Sequence, residues 1–286
     1  VSSKATIYSF LCAGLALTLA LIVAPAIHAV GLSFYAMDSF VGSARWVGLD
    51  NYAAVLREAQ FWRALCNGAL YALASIALQV ALGIACALVL NEKFFGRNLV
   101  RGLSILPYLL PTVVVILTFK WMVDGSIGIV ARMVAALGWP AIQWFESPGA
   151  AMASTVLVSV WMWTPFVSTC FLAALQTVPP ALYEAARVDG TNAVQRFWHI
   201  TLPMLRPILT VVVLLRAIWM FNKFDVIWLL TRGGPVGATE NLALLSYRHA
   251  FGLFDIGGGA AIATISFLIL SAAVLVYFRI FPLEDE

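Results

Sequence analysis

The chain reads as long apolar runs broken by short polar punctuation. A helix needs about 20 apolar residues to cross the hydrocarbon core of a bilayer. Six runs meet that length, at about 6–32, 63–90, 99–122, 152–175, 207–230 and 259–281. The second closes at Asn91-Glu92-Lys93, the fourth at Pro179-Pro180 and the fifth at Arg232-Gly233-Gly234-Pro235. The pattern predicts an all-α integral membrane protein with about six transmembrane helices in a single domain, 1–286. The first run is too long for the apolar core of a signal peptide and has no clear small-residue cleavage site, so a retained span is expected.

The segments between the runs alternate in character. Segments 33–62, 123–151 and 231–258 are long and carry Trp46, Tyr52, Trp62, Trp139, Trp144 and Tyr247, which suit the interfacial aromatic belts. Segments 91–98 and 176–206 hold Lys93, Arg97, Arg187, Arg196 and Arg206, with Arg101 and Arg279 at neighbouring span ends and Lys4 before the first span. Cytoplasmic loops favour Lys and Arg, which places these segments and both termini in the cytoplasm. The bias is modest, because the long segments carry basic residues of their own.

Composition agrees with lipid as the main solvent. Of 286 residues 62% are hydrophobic and 11% charged, with a mean hydropathy of +0.94, whereas a soluble domain carries about 25% charged residues. A net charge of +3 is too weak to suggest nucleic acid as a partner. Cys12, Cys66, Cys86 and Cys170 lie in or beside apolar runs without a CxxC pair, so they read as small buried hydrophobes rather than a metal site or a disulfide framework. His28, His199 and His249 are isolated in sequence and suggest no chemistry.

Segment 178–206 is the most informative. It reads Val178-Pro179-Pro180-Ala181-Leu182-Tyr183-Glu184-Ala185-Ala186-Arg187-Val188-Asp189-Gly190 and continues to Ile200-Thr201-Leu202-Pro203. Pro180 suits the first turn of a helix, where its missing N–H costs nothing. Leu182, Ala185, Ala186 and Asp189 share one face of that helix. Gly190 permits a positive φ and ends it, and Thr191 or Asn192 can cap the next helix. Phe197, Trp198 and Ile200 give the second helix an apolar side, and Pro203 is expected to end it. An amphipathic hairpin of this kind should dock on a cytosolic partner or lie on the bilayer surface. The small Ala185-Ala186 pair permits close approach, and Glu184 offers a charge to a partner's Arg or Lys.

The pattern Glu184-Ala185-Ala186, Gly190, Ile200-Thr201-Leu202-Pro203 resembles the coupling-loop signature of bacterial ABC importer permeases, with no departure in spacing. Two further segments extend the resemblance over nearly the whole chain. Trp46-Val47-Gly48-Leu49-Asp50-Asn51-Tyr52 is similar to the outer segment after the first span of the sugar-permease branch. Phe221-Asn222-Lys223-Phe224-Asp225-Val226-Ile227-Trp228-Leu229-Leu230-Thr231 with Gly233-Gly234-Pro235 is similar to that branch's fifth-span ending. The chain is thereby identified as resembling the maltose and glycerol-phosphate permeases. The resemblance implies a type I ABC importer permease fold in a bacterial inner membrane. It also implies as partners a second permease subunit, two copies of a cytosolic ATPase and an extracytoplasmic substrate-binding protein. Coupling would run through Glu184, Ala185, Ala186, Asp189, Gly190, Ile200, Leu202 and Pro203. ATP and Mg would be bound by the ATPase subunits and no cofactor by this chain, which has no GxxxxGK[ST] loop.

Polar side chains inside spans are expensive and should face protein or a water-filled path. The fifth run contains Arg216, Asn222, Lys223 and Asp225, and the third has Lys120 near one end. The fourth contains Ser159, Thr164 and Ser168 with Trp161 and Trp163. Trp219, Asn222 and Lys223 fall on one helical face, as do Ser159, Met162, Trp163 and Phe166. Rings beside polar groups suit sugars, whose C–H faces stack while their hydroxyls hydrogen-bond. These residues and Asp225 are the candidate substrate path. Lys223 and Asp225, two apart, would pair only if the helix breaks between them, and Arg216 reads as a structural partner within the bundle. Pro107, Pro111 and Pro165 allow kinks. The favoured cargo is a mono- or oligosaccharide. The alternative is an anionic cargo such as a sugar acid or glycerol phosphate. An intramembrane enzyme would need convergent acids, a His pair or a Ser–His arrangement, and none is present, so no catalytic residue is assigned. A secondary transporter acting alone would leave the hairpin unexplained.

Overall fold

The computed structural model describes residues 4–37, 42–138, 140 and 143–282, so Trp139 of the expected aromatic belts lies outside the described residues. Helices dominate, and among the described residues five are long and apolar enough to cross a membrane: Tyr8–Leu32, Ala59–Asn91, Pro148–Leu175, Ala193–Phe221 and Ile256–Ile280. A sixth crossing is a broken pair, Arg97–Leu109 and Thr112–Met122, bent by 89°. The third apolar run is therefore not one helix. Pro111 has no N–H to continue the first piece, and Leu110 before it is extended at φ −73°, ψ 143°, the backbone that a following proline favours.

The chain divides into two compact units, Val1–Trp62 with Leu242–Ile269, and Arg63–Asn241 with Leu270–Glu286. In the first unit, strands Tyr35–Ala36 and Arg45–Trp46 pair antiparallel, with Tyr35 opposite Trp46. Asn51 Nδ2 donates to the carbonyls of Ser33 and Tyr35 at 2.8 and 2.9 Å. The Trp46–Tyr52 segment recognised in the sequence thus folds the chain back beside the first span's end, with Gly48 turning at φ 59°. No residue in the most apolar stretch of the first span is buried, so its apolar surface faces outside the chain.

His249 does have chemistry around it, contrary to the expectation from sequence. Its Nδ1 lies 3.0 Å from Asp255 Oδ2 and its Nε2 3.6 Å from Glu58 Oε2. Asp255 also caps the helix Ile256–Ile280, its Oδ1 accepting from Gly258 N at 2.9 Å. Sequence distance hid this, because Glu58 comes from another segment. The His249 hydrogen bond holds the Asp255 carboxyl below its ordinary range, against the opposing effect of burial, with help from the Gly258 N–H. A depressed carboxyl lends stability above its unfolded value, about pH 4, and that stability is lost as pH falls through the folded value. Asp255→Asn is expected to flatten this acid arm. The gap in melting temperature between the two proteins should shrink as pH drops below about 4, read by thermal denaturation across a pH series.

In the second unit the fourth span is central, with half of its most apolar stretch buried. Val167, Phe171 and Leu175 pack with Ala87 of the second span and Leu205 and Val212 of the fifth. Val158 and Met162 pack with Val115 and Ile116, and with Val226 and Leu230 of a short helix, Asp225–Leu230. Close approach of the second and fourth spans depends on Gly83, where an added Cβ would lie 2.6 Å from Val167 Cγ1. Small residues allow this intimacy in membranes. Gly83→Leu is expected to cost about 1–3 kcal/mol through overpacking, seen as a lower melting temperature of the purified protein, with Gly83→Ala less affected.

Three further expectations are corrected. The fifth run does not continue to residue 230, because its helix ends at Phe221 and restarts at Asp225. Asn241 Nδ2, donating to Lys223 O at 2.8 Å, supplies a partner to backbone the break sets free. Pro203 does not end a helix. A wide turn over Phe197–Thr201, with Leu202 N–H reaching back to Phe197 O, lets the chain run from Ala193 through to Phe221. The shifted hydrogen bonds absorb the donor that proline lacks. The cysteines are not buried: Cys12, Cys66 and Cys86 are exposed and Cys170 half-buried. On a lipid-facing surface a thiol needs no protein core around it, since the bilayer is itself apolar.

Candidate functional site

Two features of the second unit carry the candidate chemistry: a cavity beside the break in the fifth span, and the helical elbow between the fourth and fifth spans.

The cavity, about 690 Å³, is lined by Tyr108, Trp163, Arg216, Trp219, Asn222 and Lys223 among others. Each wall has a local cause. Tyr108 follows Pro107 in the broken third span. Trp163 lies two residues before Pro165, which sits inside the fourth-span helix. Asn222 and Lys223 occupy the interruption of the fifth. Tyr108 meets Trp163 edge-on at 5.5 Å between centroids and stacks on Phe166 at 5.7 Å, and Phe166 lies 5.7 Å from Trp219. Lys223 Nζ sits 4.5 Å from the Trp163 ring centroid and 3.1 Å from Asp225 Oδ1. The break in the helix is what lets these two charges meet.

Arg216 is fully buried. Its Nε donates to Gln79 Oε1 at 2.8 Å, its Nη2 lies 3.4 Å from Met220 Sδ, and its Cζ is 5.0 and 5.6 Å from the Trp163 and Trp219 rings. Arg216 is thus both the structural partner the sequence suggested and a wall of the cavity, which the sequence did not. Gln79 in turn donates to Ser159 O at 3.3 Å, and the Ser159 hydroxyl shares a hydrogen bond with Tyr71 OH at 2.5 Å.

Of the substrate-path candidates, Trp163, Trp219, Asn222, Lys223 and Asp225 come together around the cavity, with Phe166 packed behind its rings. Ser159 and Met162 do not. Ser159 is buried against Tyr71, and Met162 sits in the core with Ile116 and Val226. A helical face wide enough to hold all four fourth-span residues spans both cavity and core, and only packing separates them. Tyr108, Gln79 and Tyr71 were missed. A signal existed: Tyr71, Ser75 and Gln79 recur every fourth residue in an otherwise apolar run, and all three are buried.

The elbow forms as expected up to its second helix. Its first helix is Pro180–Val188, with Pro180 at the start. Gly190 turns at φ 78°. Asn192, not Thr191, caps the next helix, in a reciprocal box with Gln195 at 2.8 and 2.9 Å. Thr191 instead ties the turn, its Oγ1 donating to Ala186 O at 2.6 Å, while Arg196 Nη1 donates to Thr191 O. Tyr183 OH and Thr201 Oγ1, 3.0 Å apart, join the two arms. The predicted shared face does not act as one: Ala186 turns inward, while Leu182 and Val188 remain exposed, as do Glu184, Ala185, Asp189 and Gly190. Ile200 and Leu202 are half-buried and Pro203 is exposed. Among the described residues no group of three His, Cys, Asp or Glu side chains could hold a metal ion.

This architecture is that of a permease. A model of the binding-protein-dependent transport system inner membrane component family matches residues 79–282, and the chain belongs to that family. It is 35% identical to the trehalose/maltose transport system permease protein MalF of Thermococcus litoralis, over 93% of this chain and 90% of the relative. It is 33% identical to the sulfoquinovosyl glycerol transport system permease protein SmoG of Agrobacterium fabrum, over 93% of this chain and 86% of the relative. Its fold is similar to that of a chain in a bacterial ABC transporter that imports the acidic polysaccharide alginate. The TM-score is 0.84 at 24% identity, covering 96% of this chain and 94% of the other.

Proposed function

We propose that this chain is one permease subunit of an ATP-driven carbohydrate importer, forming half of the path for a sugar or oligosaccharide. The observation that carries the reading is the cavity of about 690 Å³ beside the broken fifth span, where the rings of Tyr108, Trp163, Trp219 and Phe224 and several hydrogen-bonding side chains face one space. That combination suits a polyhydroxylated ligand with apolar C–H faces. Relatives named for trehalose and maltose and for a sulfoquinovosyl glycerol support a glycosidic cargo.

The elbow at 180–203 is the coupling element, seated in a cleft of a cytosolic ATPase that binds the ATP and Mg. Its exposed Leu182, Val188 and Trp198 are apolar groups without cover in this chain. They flank Glu184, available to a partner's cation. On this reading both termini are cytoplasmic, and the whole chain acts as one transmembrane domain beside a second permease subunit. Nucleotide binding closes the ATPase pair and the elbow moves with it. The spans then swing from inward-open to outward-open, where the extracytoplasmic binding protein delivers its cargo. Coupling requires that cargo and nucleotide bind the two states unequally. The test is uptake of labelled saccharides into proteoliposomes holding the assembled importer and its binding protein. Uptake that needs internal ATP supports the reading, and uptake driven by an ion gradient without ATPase subunits defeats it.

A further inference from the structure

Arg216 brings into the protein a charge that pairs with no acidic side chain among the described residues. It is 0% exposed. Its partners are the neutral Gln79 amide oxygen and the Met220 sulfur, and its Nη1 has no hydrogen-bond partner among the described residues. Asp225, the acidic side chain that lines the same cavity, is already engaged by Lys223 at 3.1 Å. Among the described residues the cavity therefore holds one ion pair and one cation that meets aromatic rings but no anion. A second donor is also unmatched: Trp163 Nε1 is buried without a hydrogen-bond partner. These two side chains touch, with Arg216 Cζ 5.0 Å from the Trp163 ring.

Buried donors are rarely left unpaired, and an isolated buried charge is costlier still. We propose that the missing acceptor is the cargo: an acidic saccharide whose carboxylate, or an equivalent anionic group, takes Arg216 Nη1 and Trp163 Nε1, while its ring lies against Tyr108 and Trp219. The inference rests on the carbohydrate-permease reading and narrows it from saccharides in general to anionic ones. A neutral sugar offers hydroxyl acceptors but leaves the guanidinium charge uncompensated. An anion satisfies donor and charge together, and charge-assisted hydrogen bonds are about twice as strong as neutral ones. Lys223, the more obvious cation in the sequence, is not the reader, because Asp225 already balances it. Trp219, 43% exposed, lines the cavity beside Arg216, its ring 5.6 Å from the guanidinium carbon.

The experiment is equilibrium binding of radiolabelled acid and neutral twins, D-glucuronate with D-glucose and D-galacturonate with D-galactose. The host is the assembled importer in nanodiscs without its binding protein. The acid of at least one pair should bind about tenfold or more tightly than its neutral twin, the scale of one charge-assisted hydrogen bond. Arg216→Gln should abolish the preference and Arg216→Lys should keep part of it. Trp163→Phe, which keeps a ring but removes the donor, should reduce it. Equal or tighter binding of the neutral twins overturns the inference while leaving the carbohydrate reading intact, as does a preference that survives both Arg216→Gln and Trp163→Phe. If neither twin of any pair binds, this inference fails, while the carbohydrate reading stands or falls on the uptake of labelled saccharides. Should Arg216→Gln not assemble, Arg216→Lys and Trp163→Phe decide the matter.

Discussion

Glu184→Lys is expected to uncouple the importer: ATP-driven uptake falls to background while the six-span protein still folds and inserts. Glu184 is exposed on the first arm of the elbow and accepts no hydrogen bond from the described residues that holds the arm together. The bonds that shape the elbow belong instead to Tyr183, Thr191, Asn192, Gln195, Arg196 and Thr201. A reversed charge at this position leaves the elbow's geometry in place and, on the proposed coupling, sets a like charge against the partner's cation. Removing one partner from a desolvated interfacial charge pair costs about 2–5 kcal/mol, and reversal should cost at least as much. Uptake into proteoliposomes and co-purification of the ATPase with the variant permease should therefore fail together. Undiminished uptake by the variant would remove the elbow's charge from the coupling mechanism.

Gln79→Leu should cause a large loss of stability in the transmembrane region. Gln79 Oε1 accepts the 2.8 Å hydrogen bond from Arg216 Nε, and both residues are fully buried. Leucine matches the apolar surroundings but leaves a buried guanidinium with one more unpaired N–H. Hydrogen bonds to charged groups are worth about 1.5–3 kcal/mol, and the loss should appear as a lower melting temperature and poorer recovery of the folded protein. The double variant Gln79→Leu with Arg216→Met removes donor and acceptor together. Replacing both members of a buried polar pair is far gentler than removing one, so the double variant should be more stable than Gln79→Leu alone. Strict additivity of the two changes would mean the residues are not coupled.

These two sites differ in how visible they are from sequence. The elbow was almost wholly legible, because its determinants are local. Pro180 starts a helix, Gly190 takes a backbone with φ 78°, and the next helix begins behind a polar cap two residues on. Each is set by the conformational preferences of neighbours in the chain. Where local reasoning failed there, at Pro203, the cause was a wide turn that a proline rule does not include.

The cavity was only half legible. Sequence reasoning found its aromatic and polar residues, since a polar group within an apolar run is conspicuous. It also named the condition under which Lys223 and Asp225 could pair. It did not exclude Ser159 and Met162, because a helical face is broader than a binding wall and their exclusion depends on which helix packs beside them. It missed Tyr108 for the complementary reason, since that ring reaches the cavity only through the 89° bend of the third span.

By itself, then, the sequence determined the membrane-spanning class, the approximate spans and the form of the elbow. These follow from the length of apolar runs, which the thickness of the bilayer dictates, and from backbone preferences acting over a few residues. Tertiary structure alone decided which polar side chains meet: Arg216 with Gln79, Tyr71 with Ser159, Lys223 with Asp225 across a broken helix. Inside an apolar medium each buried polar group must find a partner, often from a distant segment. Which partner it finds depends on how the helices pack.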